Sequence, residues 1–178
     1  LYTDRLQVRL LEPHEADLMV RFRNENRDHL EPWEPLRRPD FFTEGFWENH
    51  LRLTLRDFRE SASACFVLLS PREDEVLGVC NYTNIVRGTF QSCQLGYALA
   101  DKHQRKGLMF EALLMTNAYM FDDLGLHRIM AGYLPHNERS GNLLNRLGFE
   151  KEGLARKYLK INGRWEDHLL TSLINETY

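Results

Sequence analysis

The stretch His103-Gln104-Arg105-Lys106-Gly107-Leu108-Met109-Phe110-Glu111-Ala112 places three basic or potentially basic side chains and one glycine between two apolar runs. The run before it, Leu95-Gly96-Tyr97-Ala98-Leu99-Ala100, reads as a strand, and the long run after it reads as a helix. A strand, a cationic glycine turn and a helix N-terminus together suit the binding of an anion. The first amides of a helix have no partners within it and carry roughly half a positive charge. Gly107 lets the backbone approach a ligand without a Cβ in the way. A diphosphate fits such a cradle, and with it a nucleotide-like cofactor. Taken alone, Gln104-x-x-Gly107 is a weak signal, because an ordinary charged turn has the same form. A second segment about thirty residues on, Pro135-His136-Asn137-Glu138-Arg139-Ser140-Gly141-Asn142 continuing to Leu147-Gly148-Phe149, gives it context.

The elements that must position these residues follow from periodicity and turn chemistry. Arg5 to Leu11 alternates as a first strand, and Pro13 opens a helix carrying Leu18, Met19 and Phe22. Leu30 to Pro39 contains three prolines, which predicts an ordered loop without regular structure that exposes Trp33. A second helix is predicted from near Thr43 through Phe58, then strands at Cys65 to Leu69, Val76 to Ile85 and Phe90 to Ala100. Pro71-Arg72-Glu73-Asp74 and Arg87-Gly88 mark the turns between them. The second half alternates: helix Gly107 to Leu124 stopped by Gly125, strand His127 to Leu134, and helix Glu138 to Leu147 closed by Gly148. Strands Phe149 to Ile161 and Trp165 to Ile174 flank Asn162-Gly163, a strong hairpin signal. The reading is one α/β domain over residues 1–178 with a mixed sheet.

Composition narrows the setting. At 43% hydrophobic and 28% charged residues the chain is an ordinary globule, and its net charge of −3 provides no basic field for nucleic acid. No apolar run approaches the ~20 residues of a membrane span, and no secretory signal is visible, so a cytoplasmic protein is expected. Cys65, Cys80 and Cys93 are an odd number in apolar strand-like contexts and read as reduced thiols. With His103, His127 and His136 they form no close ligand pair, so no metal is expected.

The loop at Gly107 and the segment from Pro135 to Phe149 together resemble the Gcn5-related N-acetyltransferase (GNAT) superfamily. Within it, Leu30-Glu31-Pro32-Trp33-Glu34-Pro35, Asn84-Ile85-Val86-Arg87-Gly88, Gly107-Leu108-Met109-Phe110-Glu111-Ala112 and Arg128-Ile129-Met130-Ala131 are similar to the bacterial RimJ-type ribosomal-protein alanine N-acetyltransferases. Pro135-His136-Asn137 and Leu147-Gly148-Phe149-Glu150-Lys151-Glu152-Gly153 extend the likeness over almost the whole chain. The resemblance implies a central, mostly antiparallel mixed sheet flanked by helices, splayed between the fourth and fifth strands, and acetyl-CoA as co-substrate. Gln104 and the backbone from Arg105, Lys106 and Gly107 through Leu108, Met109 and Phe110 would hold the diphosphate. Tyr97, Ala98 and Leu99 would pair through their main chain with the pantetheine arm in the splay. Asn137 would either reach the cofactor or simply cap the helix. Ser140 would be either a surface serine or the hydroxyl that protonates the departing thiolate.

Two departures shape the expected mechanism. Some relatives carry a tyrosine acid where this chain has Leu144, and some a strand-five glutamate base where it has Gly132. Ser140 remains the acid candidate, and the base is open. Met109 stands at a glycine-loop position where many members have Gly or Ala, and the RimJ-like branch shares it. Trp33 and Trp165 could wall a slot for an extended N-terminus or be packing aromatics, and Asp167 and His168 could orient a water, bind the amine or make structural hydrogen bonds. The resemblance implies the N-terminal alanine of the fifth small-subunit ribosomal protein as acceptor, met free or on assembling subunits. A polyamine or aminoglycoside acceptor, with Glu31 and Glu34 as the start of an acidic pocket that Arg37 and Arg38 blunt, is one alternative. A ribosome-assembly or regulatory binding protein is the other.

Overall fold

The computed structural model describes residues 1–177. Seven strands form one sheet: β1 (Gln7–Arg9), β2 (Ala64–Leu69), β3 (Val76–Val86), β4 (Ser92–Leu99), β5 (Arg128–Tyr133), β6 (Glu150–Ile161) and β7 (Arg164–Ile174). Their order is β1-β2-β3-β4-β5-β7-β6, antiparallel throughout except for β4 beside β5. That parallel contact is brief: Ser92, Cys93 and Gln94 face Arg128, Ile129 and Met130. Beyond Gln94 the strands diverge, which leaves one edge of Leu95 to Leu99 without a strand partner. Right-handed twist widens such a gap toward the strand ends, and here it opens toward the start of the glycine turn.

The helices are α1 (Ala16–Glu25), α2 (Arg27–Leu30), α3 (Glu44–Arg59), α4 (Leu108–Asp122) and α5 (Glu138–Arg146). Alternation along β2 to β4 sends side chains to two separate cores. One packs Phe66, Cys80, Tyr82, Cys93 and Leu95 against α4 and α5; the other packs Val67, Leu69, Val76 and Val79 against Met19, Phe22 and Trp47 of α1 and α3. Turn chemistry is as expected at Asn162 and Gly163, whose φ values of 42° and 80° are those of a tight hairpin. Gly125 and Gly148 take positive φ just past α4 and α5.

Two expectations are corrected. β1 is shorter than Arg5 to Leu11, because Thr3 N–H bonds the Leu6 carbonyl at 2.8 Å and that turn carries Arg5 off the sheet. The proline-rich stretch is not without helix: 3-10 turns span Glu31–Trp33 and Pro39–Phe42, each with proline in its first turn. Proline's fixed φ and missing N–H bar it from a helix interior but suit a helix start.

Tyr82 joins the sheet to α4 inside the first core. Its hydroxyl is fully buried, 2.8 Å from Thr116 Oγ1 and 2.7 Å from Asn117 Oδ1, to which it donates. Tyr82→Phe leaves Asn117 with a desolvated, unpaired oxygen and is expected to destabilise by about 1–3 kcal/mol. Urea unfolding monitored by circular dichroism measures this; an unchanged midpoint would show that the buried hydroxyl contributes nothing.

Candidate active site

The glycine turn has a backbone geometry that suits an anion. After β4 a 3-10 turn (Asp101–His103) leads to Gln104, then to Arg105 at φ 61° and Gly107 at φ 76°, where α4 begins. Among the described residues, no backbone carbonyl accepts from the six amides of Arg105 through Phe110; the first helical bond is Glu111 N–H to Gly107 O at 3.1 Å. Those donors open where the helix dipole is positive, and Arg105 and Lys106 are exposed beside them. Space is not what demands glycine at 107. An added Cβ would meet only an Arg5 guanidinium nitrogen at 3.8 Å, so the left-handed backbone is the requirement.

The remaining loop residues divide by backbone and side chain. Leu108 and Met109 bury their side chains, and the Met109 sulfur lies 3.5 Å from Cys80 Sγ, so only their main chain can serve a ligand. Phe110 is half-buried with the Arg146 guanidinium 4.4 Å from its ring centroid. The Gln104 side chain has protein partners: its Nε2 donates to His29 Nε2 at 2.7 Å, and the Arg139 guanidinium donates to its Oε1. Its own N–H bonds Asp101 O at 3.1 Å. Gln104 therefore ties the turn to α2 and α5.

Beside the cradle lie the open edge of β4 and the start of α5. Tyr97, Ala98 and Leu99 are half-buried, paired with β3 on one side and with no strand on the other. The Tyr97 hydroxyl is 2.6 Å from Ser140 Oγ. Burial pushes the Tyr97 phenol well above its ordinary range, so it stays neutral, a proton donor or acceptor to its neighbour. Asn137 caps α5, its Oδ1 accepting from Ser140 N–H at 3.2 Å, which leaves the side-chain amide protons for another partner. The cap and the contact are compatible. α5 rests close on β5 because a Cβ at Gly141 would lie 2.9 Å from the Tyr133 ring.

The proline-rich loop docks onto the last hairpin. Asn162 N–H donates to Glu34 O at 2.9 Å, and Leu36 lies against Gly163. Trp33 packs on His136, ring centroids 5.5 Å apart, which sets it beside the segment leading into α5. Trp165 is 61% exposed and, among the described residues, makes no ring contact with Trp33. Asp167 has a structural partner: its carboxylate accepts from Lys157 N–H at 2.8 Å, where β6 bulges and Lys157 takes φ 47°. His168 is buried with Nδ1 3.1 Å from the Glu166 carbonyl; a carbonyl can only accept, so that nitrogen carries the proton and Nε2 is the basic one.

Sequence reasoning missed Arg23. Only 5% exposed, it bonds Glu34 at 2.9 Å, and Arg37 approaches the same carboxylate at 3.3 Å. Three rings, Phe22, Phe41 and Trp47, surround its guanidinium. Helical spacing with Met19 and Phe22 hinted that position 23 borders the buried stripe, but its partner lies in a loop eleven residues on.

Comparison with known proteins agrees with this geometry. The family model for the acetyltransferase (GNAT) domain matches residues 5–150. The Escherichia coli [ribosomal protein uS5]-alanine N-acetyltransferase is 47% identical over 173 residues, covering 97% of this chain and 89% of that protein. The crystal structure of the Vibrio fischeri ribosomal-protein-S5-alanine acetyltransferase superposes with a TM-score of 0.95 at 41% identity, over 99% of this chain and 96% of that one. Mycobacterium smegmatis RimJ in complex with CoA-disulfide superposes with a TM-score of 0.89 at 29% identity, over 97% of this chain and 87% of that one. The cradle, the splay and these matches across nearly the whole length agree: the chain belongs to the GNAT acetyltransferase family.

Proposed function

We propose that this protein transfers the acetyl group of acetyl-CoA to the N-terminal α-amine of a protein, and that its acceptor is the N-terminal alanine of ribosomal protein uS5. The run of six amides leading into α4, which donate to no backbone carbonyl among the described residues, beside an open strand edge carries the reading, and the substrate named for the E. coli and V. fischeri relatives supports the acceptor. Acetyl-CoA supplies the activated thioester. Arg105 to Phe110 hold its diphosphate through the main chain, with the Arg105 and Lys106 charges nearby. Tyr97, Ala98 and Leu99 bind the pantetheine arm as an added strand, and Asn137 reaches it from α5. A β4 N–H near Tyr97 or Leu99 faces the developing oxyanion, and Ser140 protonates the departing sulfur. The 1–178 span acts as one catalytic domain in the cytoplasm, on free or assembling small-subunit protein, without direct binding of nucleic acid. No described helix is long and apolar enough to cross a membrane.

The acceptor class fits the modest acid–base equipment. A protein α-amine has a pKa near ~8 and a lysine amine near ~10.4, so roughly a tenth of the former is neutral at pH 7 against roughly one part in 2,500 of the latter. The difference is about 3 kcal/mol before any catalyst acts. A polycationic acceptor fits less well, because the Glu34 carboxylate already serves Arg23 and Arg37. The test offers one peptide carrying an N-terminal alanine and an internal lysine together with acetyl-CoA, with spermidine in a parallel reaction. Mass spectrometry is expected to place the acetyl group on the alanine at least ~100-fold faster than on lysine. Turnover of spermidine with none at the alanine would overturn the reading.

A further inference from the structure

Arg5 belongs to no strand, yet its guanidinium is committed to the anion cradle a hundred residues away. Its Nη1 donates to the Lys106 carbonyl at 2.9 Å and its Nε to Glu111 Oε2 at 2.9 Å, while Nη2 also pairs with that carboxylate. Thr3 Oγ donates to the other Glu111 oxygen and accepts from the Arg5 and Leu6 amides at 3.2 Å, so the turn before β1 is shaped around this contact.

Two consequences follow from the geometry. Lys106 C=O and Gly107 N–H share one planar trans peptide and point in opposite directions. Holding the carbonyl toward Arg5 therefore aims the Gly107 N–H the other way, into the cradle. The second concerns charge. Glu111 lies in the first turn of α4, where a carboxylate suits the helix dipole but repels a bound anion. The Thr3 hydroxyl, and after it the Arg5 guanidinium, hold the Glu111 carboxyl below the usual carboxylate range, so it is charged at neutral pH.

We propose that Arg5 is a positioning residue for the CoA diphosphate: it orients the Lys106–Gly107 peptide and neutralises Glu111 within the cradle. The inference rests on the cradle's being the CoA site. Isothermal titration of CoA needs no acceptor and so separates the two claims. Failure of the unaltered protein to bind CoA would count against the cradle assignment itself. If it binds, Arg5→Ala is expected to weaken CoA about 10- to 100-fold, the range of a lost charge-assisted hydrogen bond. Arg5→Lys should recover part of that loss, and Arg5→Ala with Glu111→Gln should also recover part, since the repelling carboxylate is then gone while the Lys106 carbonyl stays unheld. KM for acetyl-CoA should rise with kcat nearly constant, and the penalty should shrink below about threefold with S-acetyl-pantetheine, which has no diphosphate. Equal penalties for both thioesters, no rescue by Glu111→Gln, or unaltered CoA affinity in Arg5→Ala would each overturn the assignment.

Discussion

Gly107→Val is expected to weaken acetyl-CoA binding by roughly 30-fold or more, with the unfolding temperature lowered by only a few degrees. The residue sits at φ 76° with nothing but an Arg5 nitrogen within reach of a new Cβ. The substitution therefore acts through the backbone alone. A left-handed conformation costs a non-glycine residue about 1–3 kcal/mol, most for a β-branched one. The chain relieves that cost by rotating the peptides on either side, which turns the Gly107 and Leu108 amides out of the cradle. Gly107→Ala should fall between the two, at about fivefold. Gly45→Ala is the control: Gly45 lies in α3 with open space around its Cα, and alanine there should stabilise by about 0.5–1 kcal/mol. Equilibrium binding of CoA together with thermal unfolding reads both effects. Unchanged affinity in the valine variant would show that the turn does not hold the diphosphate.

Ser140→Ala is expected to lower kcat by about 100-fold while the affinity for acetyl-CoA stays within a few-fold, because a positioned proton donor contributes about 10²–10⁴. The lower end applies, since a coenzyme thiol with a pKa near ~8.5 leaves readily and needs only a modest donor. Tyr97→Phe should cost less, roughly tenfold, by removing the 2.6 Å partner that sets the Ser140 hydroxyl and returns its proton. Burial raises the Tyr97 pKa above the ordinary tyrosine value, so the phenol remains protonated at the working pH and ionises only at higher alkalinity than a free tyrosine. The rate should therefore show no loss from tyrosine ionisation between about pH 6 and 9. If the two hydroxyls act in series, the double variant is no slower than Ser140→Ala alone. Stopped-flow acetyl transfer under saturating acetyl-CoA measures this. Additive losses would show that the hydroxyls act separately, and a wild-type rate in Ser140→Ala would remove the serine from the mechanism.

Much of the fold was legible because local signals agreed. α3 starts just after Thr43, near where the sequence placed it, and Asn162-Gly163 closes the last hairpin because few other pairs tolerate two positive φ values. The reading failed where tertiary contacts overrode local pattern. Arg5 alternates correctly for a strand but is drawn away by Glu111, 106 residues on in sequence. Glu34, the start of an acidic pocket that Arg37 was expected to blunt, is paired with Arg37 and also with the buried Arg23, which no local pattern joined to it. Asp167 makes the structural hydrogen bond that was one of its expected roles, but that its partner is the Lys157 amide at the β6 bulge is not legible along the chain.

By itself the sequence determined the order of elements, the glycine turn ahead of α4 and the family, since these depend on periodicity, backbone preference and residue identity along a continuous stretch. Only the tertiary structure decided how the turn is held and which side chains it leaves free. Gln104 is occupied by His29 and Arg139, Ser140 is joined to Tyr97, and the Lys106 carbonyl is pinned by Arg5. Each is a directional bond between distant segments, formed only when the strand splay and helix packing bring donor and acceptor within about 3 Å, and no spacing along the chain encodes such a distance.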